Sequence, residues 1–185
     1  MSEGMLVEAE IWTVARTDKG NAVLVRPVGS EVAVPIFIGH LEAQSILIGL
    51  GNVPMHRPLT HDLLLSILDQ MKIKLDRVEI TDLKDNTYYA RIILKNGEGQ
   101  IIIDSRPSDA LGIASRAHCP VYIAEFIVDE AGISTSLITE ESTEESTVPN
   151  PEELEKKRLE KELEKAIEAE NYEEAAKLRD RLKEL

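Results

Sequence analysis

Apolar and polar positions change period several times along the chain, and each change marks an element. Residues 5–15 are partly alternating and rich in β formers, which predicts a strand. Asp18-Lys19-Gly20-Asn21 is a turn, 22–28 a second strand and 32–38 a third, so the chain opens as an antiparallel meander. Pro35 cannot donate to a ladder and marks an edge, a bulge or a break in that third strand. From 39 to 50 the period becomes helical, and Gly51 suits the C-cap. A two-proline loop leads to Thr60, read as the cap of a second helix over 60–71 whose core face is Leu63, Leu64, Ile67, Leu68 and Met71. Strands follow over 74–81, 87–94 and 99–103, with Asp85-Asn86 and Asn96-Gly97 as the turns. Pro107 opens a third helix over 107–117, and 121–123 is a short final strand. The expected fold is mixed α/β (α+β), a largely antiparallel twisted sheet with about three packed helices.

Pattern disappears over 129–150, where Ser, Thr and Glu dominate, so an acidic flexible linker is expected there after a domain over 1–128. Over 151–185 helical periodicity returns in two sets, Leu159, Leu163, Ala166, Ile167 and then Tyr172, Ala175, Leu178, Leu182, Leu185. The two sets predict a helical hairpin. At about 30 residues it is too small for its own core, so it is expected to pair with another copy or another protein.

Charge sharpens this division. The formal net charge is −13, but residues 1–128 carry 16 acidic and 12 basic side chains, while 129–150 carry 6 acidic and none basic. The excess lies mostly outside the main domain. No basic stripe occurs, which excludes tight sequence-independent duplex binding driven by lysine and arginine alone. No apolar run reaches the roughly 18 residues of a membrane span. Met1-Ser2-Glu3-Gly4 lacks the basic opening of a secretory leader, and the single Cys119 excludes an internal disulfide and a cysteine-rich zinc site. A cytoplasmic location is the expectation.

Candidate chemistry gathers at element ends between Arg57 and Asp109. Six carboxylates stand out there or nearby: Glu42, Asp62, Asp82, Asp85, Asp104 and Asp109. Short aspartates on rigid element ends suit Mg²⁺ or Mn²⁺, and the expected ligands are Asp62, Asp85, Asp104 and Asp109. His61 titrates near neutrality and suits a ligand or a general base. Arg57 and Arg106 suit a paired clamp on phosphate, with Lys84 as a point charge and Ser108 beside them. Taken singly, each has a structural reading: Asp62 and Asp109 favour the first turn of a helix, Thr60 and Ser105 are N-cap candidates, and Asp85-Asn86 builds a turn. There is no Walker loop, no His-Glu-x-x-His and no Gly-x-Ser-x-Gly, so no spacing specifies a reaction. The expectation is that the clusters converge on one acidic pocket.

Arg57-Pro58-Leu59-Thr60-His61-Asp62-Leu63, Leu83 to Ala90 (Leu-Lys-Asp-Asn-Thr-Tyr-Tyr-Ala) and Asp104-Ser105-Arg106-Pro107-Ser108-Asp109-Ala110 resemble the hallmark segments of the bifunctional nuclease domain family, as do Pro35-Ile36-Phe37-Ile38-Gly39 and Glu42-Ala43. The resemblance covers about 5–135. It implies a mixed α/β domain, nuclease activity on DNA and RNA, and a site drawn from His61, Asp62, Asp85, Asp104, Arg106, Ser108 and Asp109. The tail, with Asn171-Tyr172-Glu173-Glu174-Ala175-Ala176 and Leu178-Arg179-Asp180, resembles a UVR motif, which implies docking on a like hairpin. Together these give a metal-assisted phosphodiesterase acting on single-stranded nucleic acid and a protein partner for 151–185; the exposed edges of alternating strands and a hairpin tail in need of a partner also predict a homodimer. The rival reading is a non-catalytic, anion-binding regulatory or adaptor module.

Overall fold

A computed structural model describes residues 5–17, 20–97 and 99–137. The helical hairpin expected over 151–185 lies outside the described residues, as does most of the expected linker. The described residues form one eight-stranded sheet, in the order β6-β5-β4-β7-β1-β2-β3-β8. The strands are β1 (Leu6–Thr17), β2 (Gly20–Pro27), β3 (Val32–Ile38), β4 (Lys74–Lys84), β5 (Thr87–Asn96), β6 (Gly99–Ser105), β7 (Val121–Ala124) and β8 (Ile133–Ser134). All neighbours are antiparallel except β4 and β7. The opening meander and the mixed fold are as expected. Among the described residues no helix is long and apolar enough to cross a membrane.

Three helices line one face: α1 (His40–Leu50), α2 (Thr60–Gln70) and α3 (Pro107–Ala117). The middle one, α3, packs against α1, α2, β4 and β5. Eight of its eleven residues are buried, so it is the spine of the core. Its start follows from local chemistry. Arg106 is extended (φ −69°, ψ 145°), as a residue before proline must be, and Pro107 sits at the first helical position where no N–H is required. Its end is His118 in the left-handed region (φ 50°), two residues before Pro120. Where α1 crosses α3, Gly49 admits the close approach: a Cβ there would lie 2.1 Å from Ser115 Oγ.

The sheet curls around this layer. β5 and β3 are five places apart in strand order, which in a flat sheet would separate them by about 24 Å. Yet the Tyr88 hydroxyl of β5 donates to the Pro35 carbonyl of β3 at 3.3 Å. The concave face holds the core, with Val23, Val25, Val34, Ile46, Val78, Ile80, Leu111 and Ile123 almost wholly buried. The convex face carries charge over β4 and β5, and a small cluster of Trp12, Ala15, Leu24 and Ala33 over β1 to β3.

Four local expectations need correction. Of the residues expected on the core face of α2 only Leu68 is buried; Leu63, Leu64, Ile67 and Met71 are exposed, and Leu65 packs on the core instead. A fourth helix, α4 (Glu125–Ala131), and the two-residue β8 occupy the start of the segment expected to lose pattern from 129. Ile127 and Val128 are indifferent helix formers, but Ile127 is fully buried in the core, and β8 pairs with Val32 and Ala33. Packing orders a stretch that composition does not. Thr60 is not the cap of α2. Leu59 occupies that position, and its N–H donates to Asp62 Oδ2 at 2.8 Å. Ser105 is likewise displaced as a cap by Arg106.

Candidate functional site

The N-terminus of α3 gathers the densest set of charges that includes residues singled out in sequence. Arg106, at the N-cap, grips Asp109 one turn on with two bonds, Nε to Oδ2 at 2.8 Å and Nη2 to Oδ1 at 3.0 Å. Its third contact reaches across to α1, Nη1 to Glu42 Oε1 at 3.3 Å. Glu42 folds back over Gly39, where a Cβ would stand 2.3 Å from Oε2. A longer side chain at 39 would push that carboxylate away from Arg106. Arg106 remains two-thirds exposed (66%).

Beside it lies a groove of about 310 Å³ lined by Ile36 to Gly39, Glu42, Asn86 to Tyr88, and Arg106 to Ser108. The β4–β5 hairpin forms one wall. Asp85 and Asn86 both adopt positive φ (49° and 59°), the backbone of a two-residue primed turn, so Asp85 stands at the hairpin tip beside the groove. Phe37, on the opposite wall, is half-exposed.

A second set ties the three helices together one turn further along α3. His61 Nδ1 meets Ser45 Oγ at 2.9 Å, and Arg116 Nη2 donates to the same hydroxyl at 3.2 Å. Arg116 also donates to the Gly112 carbonyl at 2.8 Å and bridges Asp62 Oδ1 at 2.8 Å. The other edge of the imidazole packs on α3, since a Cβ at Gly112 would lie 2.8 Å from Nε2. Burial, then the Arg116 guanidinium, hold the His61 pKa below its ordinary value, while Asp109 and Asp62 oppose them. His61 is therefore neutral at pH 7. Asp62 and Arg116 also line a cavity of about 440 Å³ with Ile48, Gly49, Val53 and Pro58.

The expected single acidic cup does not form. Asp62 is committed to Arg116 and to the α2 cap, and Asp109 to Arg106. Among the described residues Asp85, at the hairpin tip, makes no ion pair. Asp104 lies opposite Arg91 on β5, whereas its neighbour Ser105 lies opposite the buried Ala90. Strand alternation therefore sends Asp104 to the convex face, away from the helices. Lys84 turns to the same face, bridging Asp82 and lying over the Tyr89 ring. Arg57 is exposed in the bend before α2. Among the described residues no three His, Cys, Asp or Glu side chains gather closely enough for a metal ion. What converges is Arg106, Asp109 and Ser108, with His61 and Asp62 one turn away. Sequence reasoning missed Ser45, Gly112 and Arg116. Arg116 is four residues after Gly112, a spacing that puts both on one helical face, but nothing local signals a partner 71 residues earlier.

Residues 23–136, more than half of the chain, match the family described as Bifunctional nuclease domain. Residues 153–185 match the UvrB/uvrC motif. An uncharacterised protein of Mycobacterium tuberculosis (strain ATCC 25618 / H37Rv) is 36% identical over 120 residues, covering 65% of this chain and 70% of its own. Bifunctional nuclease 1 of Oryza sativa subsp. indica is 26% identical over 169 residues, and bifunctional nuclease 1 of Arabidopsis thaliana is 24% identical over 170. Both plant matches cover 83% of this chain but only 51% and 52% of theirs, so the chain spans about half the length of those relatives.

Proposed function

The chain belongs to the bifunctional nuclease domain family, and on that premise we propose that it hydrolyses phosphodiester bonds of single-stranded DNA or RNA in the groove beside the N-terminus of α3. One observation carries the proposal. Arg106, two-thirds exposed, stands at a helix N-terminus on the rim of a groove of ligand-binding size. A phosphodiester entering there competes with Asp109 and Glu42 for the guanidinium. Arg106 turns its paired N–H donors to the phosphate, and the helix dipole adds to the attraction. The displaced carboxylate then lies beside the bound phosphate and is available to accept a proton from an attacking water.

The four aspartates expected as ligands do not fit a divalent ion in this arrangement, because three are held apart by arginines or by strand parity and, among the described residues, no other carboxylate or histidine gathers with Asp85 at the hairpin tip. No step is therefore assigned to an ion. His61, with Nδ1 on Ser45 and its other edge against Gly112, positions α2 on α3 in this scheme and is not the base. Residues 151–185 are proposed to recruit a protein partner.

The same absence of a carboxylate cluster favours a second reading, an anion-binding module without turnover. Incubation of the full chain with end-labelled single-stranded DNA and RNA, with Mg²⁺ or Mn²⁺ and with chelator, separates the two. The expected result is cleavage that falls about 100-fold in Arg106→Ala, the scale of losing one positioned transition-state donor. Asp104→Asn is expected to cleave as the parent does. Binding without cleavage selects the second reading. Cleavage untouched by Arg106→Ala removes the groove.

A further inference from the structure

The two edges of the sheet are built differently. At one, β8 pairs only with Val32 and Ala33, and Pro35 stands just beyond it, so that edge is short and interrupted. Both are standard devices against unwanted pairing. At the other, β6 ends the sheet with seven residues, no proline and no lysine. Its isoleucines are exposed on both faces: Ile101 (36%) and Ile103 (44%) on the concave side opposite Leu94 and Ile92, and Ile102 (57%) on the convex side opposite Ile93. Among the described residues no further strand pairs with this edge, and a backbone edge flanked by bare isoleucine on both sides is a template for another strand.

We propose that this edge pairs with β6 of a second copy, antiparallel, about a two-fold axis through Ile102. The register follows from symmetry and charge. A two-fold axis normal to the sheet keeps each face on its own side, so only residues of the same face meet. Centring on Ile103 sets Ile102 against Asp104, a carboxylate on an isoleucine. Centring on Ile101 sets Ile102 against Gln100. Centring on Ile102 sets that residue against itself, Ile101 against Ile103 on the concave side, and Gln100 against Asp104, which can hydrogen-bond. Only this register meets isoleucine with isoleucine at all three positions and places no like charges opposite each other. The sheet becomes sixteen-stranded. Each Arg106, four residues beyond Ile102, lies on the opposite side of the axis from its mate, so the two grooves are separate sites. The inference does not depend on nuclease activity.

The test is a register-specific cross-link in the full chain with Cys119→Ala as background. Directly opposed residues in an antiparallel pair stand about 4.5–5.5 Å apart at Cα, within disulfide reach. Ile102→Cys is expected to give a disulfide dimer under mild oxidation. Ile101→Cys and Ile103→Cys are expected to link when mixed and not when alone. Adding Ile102→Lys, which faces two ammonium groups across the axis, is expected to abolish the mixed link while leaving the far-UV circular dichroism of the chain that of the folded parent. A monomeric mass by light scattering at micromolar concentration overturns the proposal. So does a dimer that Ile102→Cys fails to link, since it must be held elsewhere, or Ile101→Cys linking to itself as readily as to Ile103→Cys.

Discussion

Glu79 is the strongest electrostatic commitment on the convex face, and its removal has a size that can be worked out. The side chain is fully buried (0% exposed) in mid-sheet. One oxygen accepts from Arg77 Nε at 2.6 Å and the other accepts from Arg91 Nε. Arg77 in turn meets Asp76 at 2.6 Å, and Lys95 meets the second Asp76 oxygen at 2.7 Å. Removing one partner of a buried ion pair costs about 3–5 kcal/mol, because the other charge stays desolvated. Here the arginines retain 30% and 27% side-chain exposure, and Arg77 keeps Asp76, so the lower end applies. Glu79→Ala is therefore expected to cost about 3 kcal/mol, or roughly 10 °C in Tm at about 3–4 °C per kcal/mol for a domain of this size. Glu79→Gln keeps the volume and one acceptor and is expected to cost about half as much. Glu10→Ala, which breaks the more exposed pair with Arg26, serves as the control and should cost under about 1 kcal/mol. The assay is thermal unfolding by circular dichroism, with urea titration for the free energy. A Glu79→Ala loss no larger than that of Glu10→Ala would refute the reasoning, since the network would then be no more than a surface feature.

Further outcomes rest on other parts of the fold. Burial holds the His61 pKa in the folded chain below the ordinary histidine value of about 6.5, so between the two values the unfolded chain binds more protons. Its contribution to stability is complete above about pH 6.5 and is lost as pH falls through that window; Tm from pH 8 to 5 should show this decline, and His61→Gln should flatten it. Gly49→Ala forces a methyl onto Ser115 and separates α1 from α3, with an expected loss of about 1–3 kcal/mol in urea unfolding, largely restored by adding Ser115→Gly. The Cys119 thiol is pushed up to about 11 by burial, so iodoacetamide at pH 8 should label it far more slowly in the native chain than in urea.

Local rules carried the sequence a long way. Pro107 after an extended residue, Asp85-Asn86 between two strands, and the shift of apolar period at 39 and 60 each depend on a few neighbouring residues, and each appears where expected. The polar clusters were legible for the same reason: element ends are set locally. What lies between elements was not. Strand order curls β3 toward β5 and so makes Phe37, Asn86 and Arg106 walls of one groove, although no pattern along the chain joins them. Parity decides that Asp104 faces away; Arg106, two residues on, would share that face in a continued strand and reaches the groove only because β6 ends at Ser105 and α3 begins. The run Ile101-Ile102-Ile103 has no alternation from which to read that parity. Arg116 captures Asp62 only because Gly49 and Gly112 let three helices approach closely enough for their side chains to meet. Hydrogen-bonded turns and caps are short-range and are written in adjacent residues; which carboxylate finds which cation depends on the path of the folded backbone, and that path is a property of the whole core.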